Sequence, residues 1–372
     1  MINKIIDRIK QEKILLVILA AAVISCIFVP VSDLTVHIDT DTIGILFSML
    51  AISAGLYENG VFDEIVFRTV NKQKDSRSVA IVLIMLTFFT APFITNMGAV
   101  SVFAPFTVTV LSADVSVLIY VLALQTAAAN LGCMIFPSAS PCSLFLYNRL
   151  DMTYSEYAKE ILPVYIAGFL LISVLCLFIR GVPVEGGITR EKTMQSPYYV
   201  FIYLTLMFLD VLAVVGVINM LTVFASVCLV VVIMEPNIFS KVDYTVIVLI
   251  VAMYILTGNL SQIKDLTAAF RHIFGNYAFE GNIILAQLTG SLPSIMLFSL
   301  CSRAPGLIVS ANLSNLGLIY SSYGGVYTSR MLGESFPSES KKYRRTYFAV
   351  GAFLLAALYC LYRFAFPLLM KD

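Results

Sequence analysis

Apolar runs of membrane-crossing length restrict this chain more than any other feature. Lys13–Pro30, Val115–Leu131, Glu160–Ile179, Tyr198–Val217, Ile283–Leu300 and Tyr347–Phe366 each contain at most one Asp, Glu, Lys or Arg, and Ser78–Leu111 contains none. A helix needs roughly 20 such residues to cross a bilayer. In hydrocarbon each unsatisfied backbone group costs several kcal/mol, so only helices and closed barrels span it. Composition agrees: 59% of the 372 residues are apolar and 13% are charged. A soluble domain is roughly 45–50% apolar and about 25% charged. A soluble enzyme, a nucleic-acid binder and a disordered chain are excluded. The expected fold is an all-α polytopic membrane protein with about nine spanning helices and two re-entrant hairpins.

The basic residues orient it. Placing the N-terminus in the cytoplasm puts 17 of the 24 Lys and Arg inside and leaves Arg149, Lys159, Lys264, Arg271, Arg303, Arg363 and Lys371 outside, as the positive-inside rule requires. A multi-pass protein of the plasma membrane is expected, with the lipid bilayer as its first partner. The seven cysteines sit mostly in apolar runs with no C-x-x-C spacing, so they read as packing residues and no metal cluster is expected.

The order of segments recurs. A span, a polar amphipathic stretch, an interrupted apolar hairpin, a segment broken by small polar residues and a clean span occur in residues 42–179 and again in 244–366. Ala129-Asn130-Leu131 has a counterpart in Ala311-Asn312-Leu313. Residues 1–180 therefore read as a first repeat, with a hairpin at 78–111 and a broken helix at 115–150. Residues 181–197 read as a cytoplasmic linker. Residues 198–372 read as a second repeat with one extra helix, a hairpin at 283–303 and a broken helix at 304–329. An odd number of crossings separates corresponding elements, so the second copy is inverted. Inverted repeats with paired broken helices mark secondary transporters, with the site near the midplane.

Four breaks interrupt the apolar segments: Thr95-Asn96, Pro137–Ser143, Gly290–Pro293 and Ser321–Gly325. A proline kink or small-residue packing explains any one of them. Four in a two-by-two arrangement point to a site, where helix N-termini present N–H groups to an anion. Thr95, Asn96, Ser138, Ser140, Ser143, Ser291, Ser321 and Ser322 lie at the breaks, and Asn130 and Asn312 are the repeated asparagines. These ten are the candidate substrate-binding residues. Asp210 is the one carboxylate well inside a clean span, but its place outside the two recurring segments, 42–179 and 244–366, argues against a transport role. His37 and His272 lie in flanking loops and read as surface residues.

At these positions the chain resembles the ion transporter superfamily, in its citrate-transporter-like, divalent-anion symporter and arsenite-permease branch. Leu124-Gln125-Thr126-Ala127-Ala128-Ala129-Asn130-Leu131-Gly132-Cys133-Met134 and the stretch onward to Tyr147 are similar to the family's LQTIAANLGSM segment, its GNPQN-like break and LYLY. Ile38-Asp39 to Phe47 and Lys241–Tyr244 match in style. The resemblance implies inverted repeats, a homodimer, elevator-type alternating access and symport of a small anion, carboxylate or oxyanion, with Na⁺ or H⁺. No nucleophile–base pair or metal cluster appears in the sequence, so neither enzymatic activity nor a cofactor beyond the coupling ion is expected. The resemblance places Thr95-Asn96 at the first hairpin tip and Na⁺, where used, at Asn96 and Ser140. Departures are visible. Met97 replaces the Asp of a TND tip, Ala139-Ser140-Pro141-Cys142-Ser143 stands for GNPQN, Gly290-Ser291-Leu292-Pro293 for SNVP, and Ile319 for a proline. Two alternatives stand beside this reading: a Na⁺/H⁺ antiporter on the same fold, which the missing tip carboxylate at Met97 counts against, and a transport-inactive or sensory protein, which the thinned ligands suggest.

Overall fold

The structure is a computed structural model that describes residues 13–28, 38–73, 75–181, 194 and 196–366. Most of the 181–197 linker, His37, Pro30, Lys371 and the basic residues Lys4, Arg8, Lys10, Lys74, Arg190 and Lys192 lie outside the described residues. The protein is an all-α polytopic membrane protein. Seven helices are long and apolar enough to cross a bilayer, and three shorter apolar helices accompany them.

In chain order the helices are α1 (Lys13–Phe28), α2 (Thr40–Glu58), α3 (Val61–Val70), α4 (Ser76–Ile94), α5 (Asn96–Leu111), α6 (Val115–Gly132), α7 (Pro141–Arg149), α8 (Tyr154–Cys176) and α9 (Pro197–Val214). Then come α10 (Met220–Met234), α11 (Tyr244–Gln262), α12 (Lys264–Phe274), α13 (Ala278–Thr289), α14 (Ser291–Phe298), α15 (Leu307–Leu313), α16 (Tyr323–Ser335) and α17 (Ser340–Cys360). The loops between them carry the caps that the sequence offers. Asp39, Asp75, Asp114 and Thr153 each accept a hydrogen bond from an N–H in the first turn of the helix that follows. This satisfies donors that a helix start otherwise leaves orphaned.

α3 and α12 are the two short amphipathic helices expected from the polar stretches at 58–77 and 261–276. Each precedes a helical hairpin, α4–α5 and α13–α14. Pro92 and Pro105, read from sequence as interruptions, lie inside α4 and α5. The first hairpin breaks at Thr95 alone. α4 is 19 residues long, about 28 Å at 1.5 Å per residue, so this arm has the length of a full crossing.

The hairpin α4–α5 packs on α6; α16 packs against α5 and α6, and α17 packs along α6. The hairpin α13–α14 packs on α15, with α7 and α11 beside it. α9 and α10 pack with α2 on the other side, and α1 lies along α11. Small residues permit the closest approaches, as is usual where helices meet in lipid. A Cβ at Gly132 on α6 would fall 2.1 Å from the Phe88 carbonyl oxygen of α4, and one at Gly55 on α2 would enter the Tyr203 ring of α9. α6 is buried along nearly its whole length. By contrast Leu162, Ile166, Leu170 and Val174 form an exposed apolar stripe along α8.

Candidate functional site

The four breaks have two backbone forms, each used twice. The hairpin tips are alike: Thr95 has φ 68°, ψ 164° and Gly290 has φ 90°, ψ 157°. Each is followed directly by a helix N-terminus, α5 and α14. The helix breaks are also alike. A 3₁₀ turn at Pro137–Ala139 leads to extended Ser140 and then α7, and a 3₁₀ turn at Ile319–Ser321 leads to extended Ser322 and then α16. All four breaks therefore begin a helix whose positive end faces the break.

The second helix break begins earlier than expected. α15 ends at Leu313, so the irregular segment is Ser314–Ser322, and Gly324 and Gly325 lie inside α16. The cause is Gln287 on α13. Its Nε2 donates to the carbonyls of Ser314 (3.3 Å) and Leu316 (3.1 Å), and its Oε1 accepts from the Leu318 amide at 2.7 Å. One side chain thus satisfies three backbone groups that would be costly to leave bare at this depth. Gly317 makes the turn with φ 112°. At the first break Tyr157 and Tyr154 on α8 play the same part, donating to the carbonyls of Met134 (2.5 Å) and Ile135 (3.4 Å).

Side chains from the four breaks meet in two hydrogen-bonded clusters. In one, Asn96 Nδ2 donates to Asn130 Oδ1 (2.9 Å), and Asn130 Nδ2 lies within reach of the Asn315 carbonyl (3.0 Å), Ser322 Oγ (3.2 Å) and the Tyr347 hydroxyl (3.3 Å). In the other, Ser143 donates to Asn312 Oδ1 at 3.0 Å, and the Cys142 thiol lies 3.3 Å from Ser291 Oγ. The pattern is crossed: the asparagine before each helix break bonds the serine that opens or enters the helix after the other.

Each of the ten candidate residues is at most 6% exposed, so the cluster is occluded. Asn96, Asn130, Ser143, Ser291, Asn312 and Ser322 are brought together by the bonds above. Thr95 is a cap, its Oγ1 accepting from the Gly98 amide at 3.1 Å. Ser321 donates to its neighbour, the Leu318 carbonyl. Ser138 lies apart, in a second small cavity. No hydrogen bond joins Asn96 to Ser140 among the described residues, and Asn96 Oδ1 already accepts from the Met97 amide at 2.7 Å. An ion at Asn96 would have to displace that bond.

Three residues were missed from sequence. Tyr347 and Asn315 complete the first cluster, and Cys142, read as a packing residue, enters the second. Asn315 contributes only its backbone carbonyl, which no residue type signals. Tyr347 had no signal either: one hydroxyl at the start of a clean span looks like interfacial belt.

Asp210 also changes standing. It is 3% exposed and its Oδ1 has no hydrogen-bond partner. It faces a cavity of about 10 Å³ shared with Pro92 and Phe93 of the first hairpin and Ser138 of the first break. Distance in sequence placed it away from the site, but the packing of α9 on α2 returns it to the flank of the hairpin.

The capping of the four N-termini differs. Thr95 caps α5 and Ser322 caps α16, whereas neither α7 nor α14 has a side-chain cap. The uncapped pair is the pair joined by Cys142 and Ser291. Among the described residues no group of His, Cys, Asp and Glu is placed to hold a metal ion.

Comparison with known proteins gives the same direction as the geometry. The chain is 21% identical over 314 residues to the inner membrane protein YbiR of Escherichia coli (strain K12), covering 80% of this chain and 81% of that protein. A family model described as citrate transporter matches residues 1–317. The chain belongs to the citrate transporter family.

Proposed function

We propose that the protein is a secondary active transporter that moves a small citrate-like anion across the plasma membrane by alternating access, coupled to Na⁺ or H⁺. Residues 1–180 and 198–372 act in this reading as inverted repeats, with the N-terminus in the cytoplasm and two copies of the chain forming a homodimer. One observation carries the reading. Two helices without side-chain caps, α7 and α14, start against each other at Cys142 and Ser291. Such N-termini favour an anion through their unsatisfied N–H groups and dipole. Asn312 and Ser143 adjoin this point, and the Asn96–Asn130–Ser322 cluster holds the opposite pair of helix starts.

The test is uptake of radiolabelled citrate into proteoliposomes under an imposed proton or Na⁺ gradient. Accumulation above the passive level is expected for the wild type. Asn130→Ala is expected to lose it while still inserting and dimerising. A wild type that accumulates neither citrate nor any of a panel of dicarboxylates, sulfate and oxyanions would refute the reading.

A second reading, Na⁺/H⁺ antiport, is favoured by one specific observation: Asp210 supplies a buried carboxylate without a partner beside the first hairpin. Intramembrane acids of this kind serve as proton carriers. The same vesicles separate the two readings, because antiport predicts Na⁺-driven pH change with no anion present.

A further inference from the structure

Three arginines that the charge count places on the outer side converge in the fold. Arg149 ends α7, Arg271 lies in the last turn of α12, and Arg303 follows α14. Together they line one cavity of about 560 Å³, with hydroxyls from Ser261, Thr267 and Ser302. That volume is in the range of about 300–1,000 Å³ typical of small-molecule sites. Among the described residues no carboxylate lines the cavity. None of the three arginines forms an ion pair among the described residues. Arg149 is held in place with its guanidinium 5.9 Å above the Phe145 ring.

Arginines at helix C-termini have an ordinary role, since they complement the negative end of the helix dipole. That role accounts for Arg149 and Arg271 singly. It does not account for three guanidinium groups facing one space with no counter-charge among the described residues. Like charges around a partly enclosed cavity repel each other and concentrate anions. Their planar donor forks match carboxylates in pairs.

The position is also informative. α7 and α14 run from the uncapped pair of helix starts to this cavity. Their nine and eight residues amount to about 12–13 Å.

We propose that this cavity is a second anion-binding site, a vestibule that takes a small multivalent carboxylate on Arg149, Arg271 and Arg303 before it reaches the buried cluster. Its role in delivery rests on the transport reading above, but binding at the vestibule does not. The same guanidinium chemistry would also accept the phosphate of an anionic lipid headgroup, and the experiment distinguishes the two sources.

Citrate binding is measured by calorimetry on delipidated protein in detergent, at low and high salt, and again in nanodiscs of neutral or anionic lipid. The proteins are the wild type, Asn130→Ala, and each of these with Arg271→Gln and Arg303→Gln added. Asn130→Ala, with the buried cluster disabled, is expected to keep a citrate site that weakens as salt is raised. Adding the two glutamines is expected to weaken that site at least about tenfold, equivalent to roughly 1.4 kcal/mol. An unchanged affinity on adding the glutamines would overturn the proposal, whether in Asn130→Ala or, if that variant does not fold, in the salt-sensitive part of wild-type binding. Loss of the site in anionic but not neutral nanodiscs would assign the cavity to lipid and overturn it too. Citrate bound at the arginines without uptake in proteoliposomes would leave the vestibule standing and sink only the transport reading.

Discussion

At the residue scale the hairpin tips show how much the local backbone demands. Thr95 is β-branched and sits at φ 68°, a region that costs such residues on the order of 1–3 kcal/mol. Gly290 holds the corresponding conformation without that cost. Threonine at the tip has a compensating use, because its hydroxyl caps α5, and a cap is worth about 1 kcal/mol. Thr95→Gly removes strain and cap together, so its melting temperature in detergent is expected to stay close to that of the wild type. Thr95→Val keeps the strain and loses the cap. It is expected to be less stable by about 1–2 kcal/mol, and equal stability of the two variants would contradict the assignment of strain and cap. The ten candidate residues were legible as positions of interest because small polar residues are expensive inside apolar runs. Their separate jobs were not legible, since a serine that caps, a serine that bonds its own turn and a serine that bonds across the molecule read alike in sequence.

At the scale of elements, broken helices need partners for their freed backbone groups, and here those partners come from neighbouring helices. Gln287 on α13 serves the second break and Tyr157 on α8 serves the first. Replacing Gln287 with leucine keeps the approximate volume but strands two carbonyls and one amide. Two of these bonds are part-buried and the one to Leu318 is exposed, and a net hydrogen bond contributes about 0.5–1.5 kcal/mol, so Gln287→Leu is expected to lose about 1–2 kcal/mol of stability. In thermal melts it should fall below a control substitution at the neighbouring Leu288, which is 73% exposed. The order of elements was readable from hydropathy and from proline, glycine and serine punctuation. Boundaries were less so. Pro92 and Pro105 looked like breaks but are carried within helices, and the second break began at Ser314 rather than Ser321. The missing information was the Gln287 side chain, which comes from another helix.

At the scale of the whole molecule, the buried cluster is closed on every side in this conformation, with Cys142 2% exposed and Ser291 2% exposed. A transporter has to open it. Cys142 is a native probe of that opening, since a thiol in contact with Ser291 reacts only when the helix starts part. A small membrane-permeant maleimide is expected to label Cys142 slowly in proteoliposomes, and citrate is expected to change the rate several-fold by shifting the population of the closed form. Cys142→Ala identifies the labelled site. A rate that is independent of citrate, in protein shown to bind it, would mean that the thiol does not report the transport site.

The amino-acid sequence by itself determined that the protein is an α-helical membrane protein, the order of its apolar segments and breaks, and its resemblance to the citrate transporters. Hydropathy and backbone satisfaction act locally along the chain, so those properties can be read from one segment at a time. Only the tertiary structure decided which break bonds which, that two helix starts lack side-chain caps and two have them, that Asp210 lies against the first hairpin, and that Arg149, Arg271 and Arg303 share one cavity. Those facts depend on side chains far apart in the sequence. In a molecule whose helices are almost uniformly apolar, nothing in one helix specifies the polar group it will meet on another.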